Sequence, residues 1–189
     1  MTPEIVQQLV NGLIIGVTYG LMAIGLTMIF GMMDIINFAH GDLYMLGGVF
    51  AYYLASHLGL NFFGAIALAV VLVMLVGLIF DQLVLRKLRN EPTLITILVT
   101  IGLSIFLQSI VMLFWGPSPQ SIPSPFSSKT IQIGFIFLTP FKIFMTAITV
   151  AVIFGLHLLI QKTTLGKSMR AVFQEKESAA IVGININMV

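Results

Sequence analysis

Cysteine is absent from the 189-residue chain, which excludes a disulfide framework, a thiolate metal site and a thiol nucleophile. Charge is scarce: 8% of residues are Asp, Glu, Lys or Arg against 58% hydrophobic, with a mean hydropathy of +1.07. That balance excludes a water-soluble domain, because no folded interior hides so much apolar surface. The alternating segments of about ten residues that mark a membrane β-barrel are also missing. No basic stretch precedes the first apolar run and no small-residue cleavage site follows it, so Met1 to Phe30 reads as a retained span rather than a cleaved signal peptide. Long apolar runs, each of a length that crosses hydrocarbon as a helix, are what remain. The expected class is an all-α, polytopic membrane protein.

About five transmembrane segments can be drawn: Leu9 to Phe30, Leu43 to Leu60, Phe62 to Leu85, Leu94 to Trp115 and Phe141 to Ile160. Arg86, Lys87 and Arg89 follow the third, and Lys162, Lys167, Arg170 and Lys176 follow the fifth. The positive-inside rule assigns both clusters to the cytoplasm. Two spans lie between them, which returns the chain to the same side. Trp115 to Pro140 is then external, as is the N-terminus, where Met1 to Asn11 carries Glu4 but no Lys or Arg.

The first run passes into Gly31 to Gly48, GMMDIINFAHGDLYMLGG, which places Asp34, Asn37, His40 and Asp42 at or near membrane depth. Polar groups there are expensive and usually functional. A simple cytoplasmic loop over Gly31 to Asp42 is expected to carry Lys or Arg, and this one has none. The preferred reading is a discontinuous helix whose freed backbone groups are buried in protein or line a cavity; a plain acidic loop is the alternative. Asp34, His40 and Asp42 also admit a metal-site or an intramembrane-enzyme reading. Too few ligands stand nearby for a metal, and neither HExxH spacing, a nucleophile and base pair, nor a GxxxxGK[ST] loop is present. No metal, cofactor or catalytic residue is therefore assigned.

Small residues mark where helices approach closely: Gly12, Gly16 and Gly20 in the first span, and Gly47, Ala51 and Ala55 in the second. In the fourth span Thr96, Thr100, Ser104 and Gln108 recur at four-residue steps and form a slowly winding polar stripe. It either lines a hydrated path or bonds to neighbouring helices. The external segment Gly116 to Pro140 holds five of the seven prolines and contains the alternating KTIQIGF, so an ordered cap with a short strand is expected there.

GLTMIFGMMDIINFAHGDLYMLGG closely resembles the N-terminal signature of the LivH-type permease subunit of high-affinity branched-chain amino-acid ABC importers. TLITILVTIGLSIFLQS and TTLGKSMRAVFQEKESAAIVGININ resemble that family's later markers, so the resemblance runs along nearly the whole chain. It implies a permease moving branched-chain amino acids across the bacterial inner membrane, multi-pass and not itself an enzyme. Its implied partners are a second related permease subunit, two cytoplasmic ATP-binding subunits and a periplasmic substrate-binding protein, with no nucleic acid involved. Asn37, His40, Asp42, Thr96, Thr100, Ser104 and Gln108 are the expected pathway residues. EKESAAIVG is similar to the loop by which importer permeases dock on their ATPases, and places Glu177, Ala179, Ala180 and Gly183 on that pattern. The expected division is a transmembrane domain over 1–161 and a cytoplasmic coupling segment over 162–189, with the family's C-terminal part beyond. The NxAHG pattern is shared with urea and short-chain amide permeases, which are the alternative substrates.

Overall fold

The structure, a computed structural model, describes residues 3–33, 35–88, 91–122, 124–126 and 130–184. Asp34 and Arg89 lie outside these residues, as do the side chains of Glu177 and Ala180. The chain forms two compact units, one built from residues 33–125 and the other from 1–32 together with 126–189.

The molecule is helical, as its composition demands, and four helices among the described residues are long and apolar enough to cross a membrane. These are α1 (Pro3–Met33), α3 (Phe62–Phe80) with its continuation to Leu88, α5 (Thr93–Trp115) and α6 (Pro140–Lys162). The remaining apolar segment folds as α2, His40–Ser56, only 17 residues or about 25 Å long at the helical rise. The expected five segments are thus four full spans and one shorter helix that begins at the chain break. The break itself is narrower than the sequence suggested. Helix α1 runs through Gly31 to Met33, and residues 35–39 form the non-helical link.

In the unit of residues 33–125, α2 and α3 form a helical hairpin. Asn61 caps α3 by accepting from the Gly64 amide at 2.7 Å, an interaction that satisfies one of the orphan donors of a helix start. Ala51, Leu54, Ala65 and Ala69 are the buried contact between the two helices, flanked by Ala55, and Gly47 faces Val73. Small residues on both partners let the backbones approach, which in lipid is the main source of helix–helix attraction. After Phe80 the helix continues as a π-helical segment, Asp81–Leu85, then as α4, Arg86–Leu88. Five residues of α-helix turn about 140° past one full turn, which would carry Leu85 away from the face of Phe80. The wider π turn restores it, so Phe80, Leu85 and Leu88 together bury Ile35 and Ala39 of the break.

In the other unit, α6 starts at Thr139, whose hydroxyl accepts from the Lys142 amide with Pro140 next to it. Before it stands a hairpin, β1 (Ile131–Ile133) and β2 (Ile136–Leu138), turned by Gly134 at φ 63°. The alternation in KTIQIGF is therefore half of a two-stranded element. The side-chain amide of Gln7 pairs with both backbone groups of Phe137, accepting at 2.8 Å and donating at 3.1 Å, and Lys142 reaches Asn11 at 3.1 Å. Helix α7 (Thr164–Gln174) and the short α8 (Lys176–Ile181) follow α6. A Cβ placed at Gly12, Gly16 or Gly20 meets nothing within 4 Å, so that stripe is uncovered among the described residues.

Candidate functional site

The site begins in the link between α1 and α2. Asn37 folds back on itself there, its Oδ1 accepting from the Ala39 amide at 3.0 Å in an Asx-type turn. The His40 amide donates to the Asn37 carbonyl, and Asp42 and Leu43 donate to Ala39. Helix α2 thus starts with no side-chain cap, and Asp42 sits in its first turn, where the helix dipole favours a negative charge. Asn37 is 2% exposed and Asp42 6% exposed. Two buried atoms here have no partner among the described residues, Asn37 Nδ2 and His40 Nδ1.

Helix α5 supplies the facing wall. Thr100, 0% exposed, donates to the Ile36 carbonyl at 3.3 Å and to Ile97 of its own helix at 3.1 Å. Gln108 Nε2 donates to Asp42 Oδ1 at 3.0 Å and to Ser104 Oγ at 3.1 Å. Further along, Tyr53 meets Trp115 edge to face at 6.4 Å. These three contacts ascend both helices in the same direction, so α2 and α5 run parallel. Ile36 lies beside a residue seven positions into α5, about 10 Å along that helix. The break therefore stands against the body of a spanning helix and not beyond its end.

Past the Asp42–Gln108 pair the crevice widens into a cavity of about 310 Å³. Met45, Val49 and Tyr52 of α2 and Val111 and Trp115 of α5 line it, with Ser118 and Gln120 from the segment that follows α5. Met45 and Val111 each stand three residues beyond Asp42 and Gln108, hence on the same faces of their helices. The helical walls are mostly apolar, and Ser118 and Gln120 add polar groups.

The structure thus brings Asn37, His40, Asp42, Thr100, Ser104 and Gln108 to one place. The stripe divides in two. Thr96 and Thr100 are buried with their hydroxyls on backbone carbonyls, whereas Ser104 and Gln108 are less buried and bond to side chains. Among the described residues no group of three or more His, Cys, Asp or Glu side chains gathers to hold a metal.

In the segment of residues 162–184, Ala179 is buried. Gly183 takes φ 89°, and the Ile184 amide closes on the Ala179 carbonyl at 3.1 Å, the long bond of a glycine-terminated helix end. Two features escaped the sequence reading. Ile181 and Val182 are 86% and 81% exposed, an apolar pair just ahead of the glycine; that adjacency was the available signal. Gly166 lies so close to the carbonyls of Leu159 and Ile160 that a Cβ would collide with them. Its signal was the T-x-x-G spacing after α6, since Thr163 caps Gly166 at 3.0 Å.

The family described as branched-chain amino acid transport system / permease component matches residues 8–189. The chain is similar to the high-affinity branched-chain amino acid transport system permease protein BraD of Pseudomonas aeruginosa, 34% identical over 98% of this chain and 65% of the relative. It is also similar to the corresponding permease protein LivH of Salmonella typhimurium, 31% identical, and of Escherichia coli, 30% identical, each over 97% of this chain and 63% of the relative. The chain thus spans a little under two thirds of the length of these relatives. No solved structure matches it. An integral membrane protein with this helix pattern and this match along its length belongs to the branched-chain amino acid transport system permease component family.

Proposed function

We propose that the chain is a membrane-spanning permease subunit of an ABC importer, moving branched-chain amino acids across the bacterial inner membrane with energy from ATP hydrolysis on partner chains. The observation that carries this reading is the Asp42–Gln108 pair beneath the apolar cavity between α2 and α5. A branched-chain amino acid has an ammonium, a carboxylate and a branched hydrocarbon. The Asp42 carboxylate is a matched acceptor for the ammonium. Asn37 Nδ2, a buried donor without a partner among the described residues, suits the carboxylate, since an unsatisfied donor at membrane depth costs several kcal/mol. Met45, Val49 and Val111 offer the branch an apolar wall. Ser104 accepts from Gln108 and so steadies the pair, while Thr96 and Thr100 hold the wall in place through their backbone bonds. Urea or a short-chain amide would leave those walls unfilled. An intramembrane enzyme would need a nucleophile beside Asp42, where Gln108 stands.

The partners that fit are a second permease subunit, two ATP-binding subunits and a periplasmic binding protein. The segment carrying Glu177, Ala179, Ala180 and Gly183 is the proposed ATPase contact, with Ile181 and Val182 as its exposed apolar groups. The test is uptake by the full-length complex in proteoliposomes. Labelled leucine or valine should accumulate only with ATP and binding protein present; faster accumulation of urea or acetamide under the same conditions would overturn the substrate assignment.

A further inference from the structure

Helix α7 crosses the ends of two spanning helices. Its Gly166 packs on the last turn of α6, at Leu159 and Ile160, and its Phe173 ring lies directly over Gly31 near the end of α1. Its faces are segregated. Val172 is buried and Met169 half-buried, while Lys167 and Arg170 are exposed. A helix of this kind at the ends of spanning segments lies at the boundary between acyl chains and headgroups. Beneath it is a crevice of about 250 Å³, lined by Thr27 and Met28 of α1, Ile160 of α6, and Met169, Arg170 and Phe173 of α7. The Thr27 hydroxyl is already bonded to the Ala23 carbonyl at 2.6 Å, so inside the crevice nothing polar is offered. At its rim stands Arg170, which makes no ion pair among the described residues.

We infer that this crevice is a binding site for one anionic phospholipid, with an acyl chain against Met28, Ile160 and Met169 and the phosphate on the Arg170 guanidinium. Two properties point to one ligand: an apolar slot between α1, α6 and α7 and, at the ends of the spanning helices, a planar cation with no ion pair among the described residues. A guanidinium engages phosphate through paired N–H donors, and a basic pocket between membrane helices on the positively charged side is a site for anionic headgroups. Lys167 stands three residues from Arg170, on the exposed flank of α7 and away from the crevice. The site is independent of what the permease carries.

The permease complex, purified from nanodiscs of equal phosphatidylcholine and phosphatidylglycerol, is examined by native mass spectrometry for retained lipid. Phosphatidylglycerol should be enriched about fivefold, the factor that about 1 kcal/mol from one surface cation supplies. Arg170→Gln should bring the ratio close to one, Lys167→Gln should keep most of the enrichment, and Met28→Trp, which fills the slot while leaving Arg170 in place, should lower the phosphatidylglycerol retained. An equal loss from Lys167→Gln and Arg170→Gln would replace the site with a diffuse basic surface. No enrichment in the parent protein, or unchanged retention in Met28→Trp, would also overturn it.

Discussion

Gln108 Nε2 donates to Asp42 Oδ1 at 3.0 Å although the two residues are 66 positions apart. The bond ties the first turn of α2 to the polar stripe of α5, one helical turn from Met45 and Val111 of the cavity wall. Gln108→Leu removes the donor and leaves a nearly buried carboxylate with one partner fewer. Interhelical hydrogen bonds in membranes are worth about 0.5 to 2 kcal/mol, so unfolding in detergent should be easier by that amount. If Asp42 receives the substrate ammonium in the same place, the apparent KM for leucine should change by several-fold as well. Transport per folded complex at the parent KM would confine the pair to a structural role.

Thr100 separates support from passage. It is fully buried and bonded to Ile36 of the break, and Thr100→Val keeps its shape while freeing that carbonyl. A stability loss of about 1 kcal/mol is expected, with Thr100→Ser restoring most of it and substrate affinity per folded complex unchanged in both. Thermal unfolding beside uptake kinetics reads the two effects separately. A shift in KM without a stability loss would place Thr100 in the path itself.

Much of this arrangement was legible in the chain because lipid imposes simple demands. Apolar length gave the long helices, and a polar stretch without Lys or Arg between two apolar runs marked the break. The starting point of α2 at His40 was less legible, since Ala39 supplies no side-chain cap and the helix opens without the usual signal. The π segment had no signature at all: DQLVL is ordinary helical composition, and the extra residue is explained only by the need to bring Leu85 back onto Ile35 and Ala39. The second strand of the hairpin was missed because IFL merges with the apolar run that follows, and its place is fixed by pairing with β1 and by the bonds of Gln7 to Phe137. The polar stripe was visible by period, yet period alone does not say which hydroxyls turn inward. Thr100 and Gln108 share a stripe and differ in role because one meets a backbone carbonyl and the other a carboxylate.

Gly166 sets the seat of α7. A methyl group there runs into the backbone carbonyls of Leu159 and Ile160, which cannot swing aside as a side chain can, so α7 must lift from α6. Overpacking of this kind typically costs about 1 to 3 kcal/mol. Gly166→Ala should therefore expose the α7 backbone, and trypsin should cut after Lys167 and Arg170 faster than in the parent protein. Equal cleavage rates would show that the contact yields without moving the helix.

The exposed pair Ile181 and Val182 makes the strongest claim on a partner. Covering large aliphatic side chains this exposed is favourable by about 1.5 to 3 kcal/mol for each when fully buried. They stand at the end of α8, just before Gly183 turns the chain, while Ala179 already faces inward. If this end of the segment enters a groove on an ATP-binding subunit, as proposed, a charge at its tip is excluded from the groove. Ile181→Asp in the full-length permease should then lower co-purification of the ATP-binding subunits by about tenfold or more, while the membrane helices fold as before. Gln174→Asp, at the exposed end of α7, serves as a control for added charge and should leave docking unchanged. Docking has to be read apart from uptake, because transport fails for many reasons and co-purification for few. Full recovery of the ATP-binding subunits with Ile181→Asp, with hydrolysis still stimulated, would place the contact on another part of the permease.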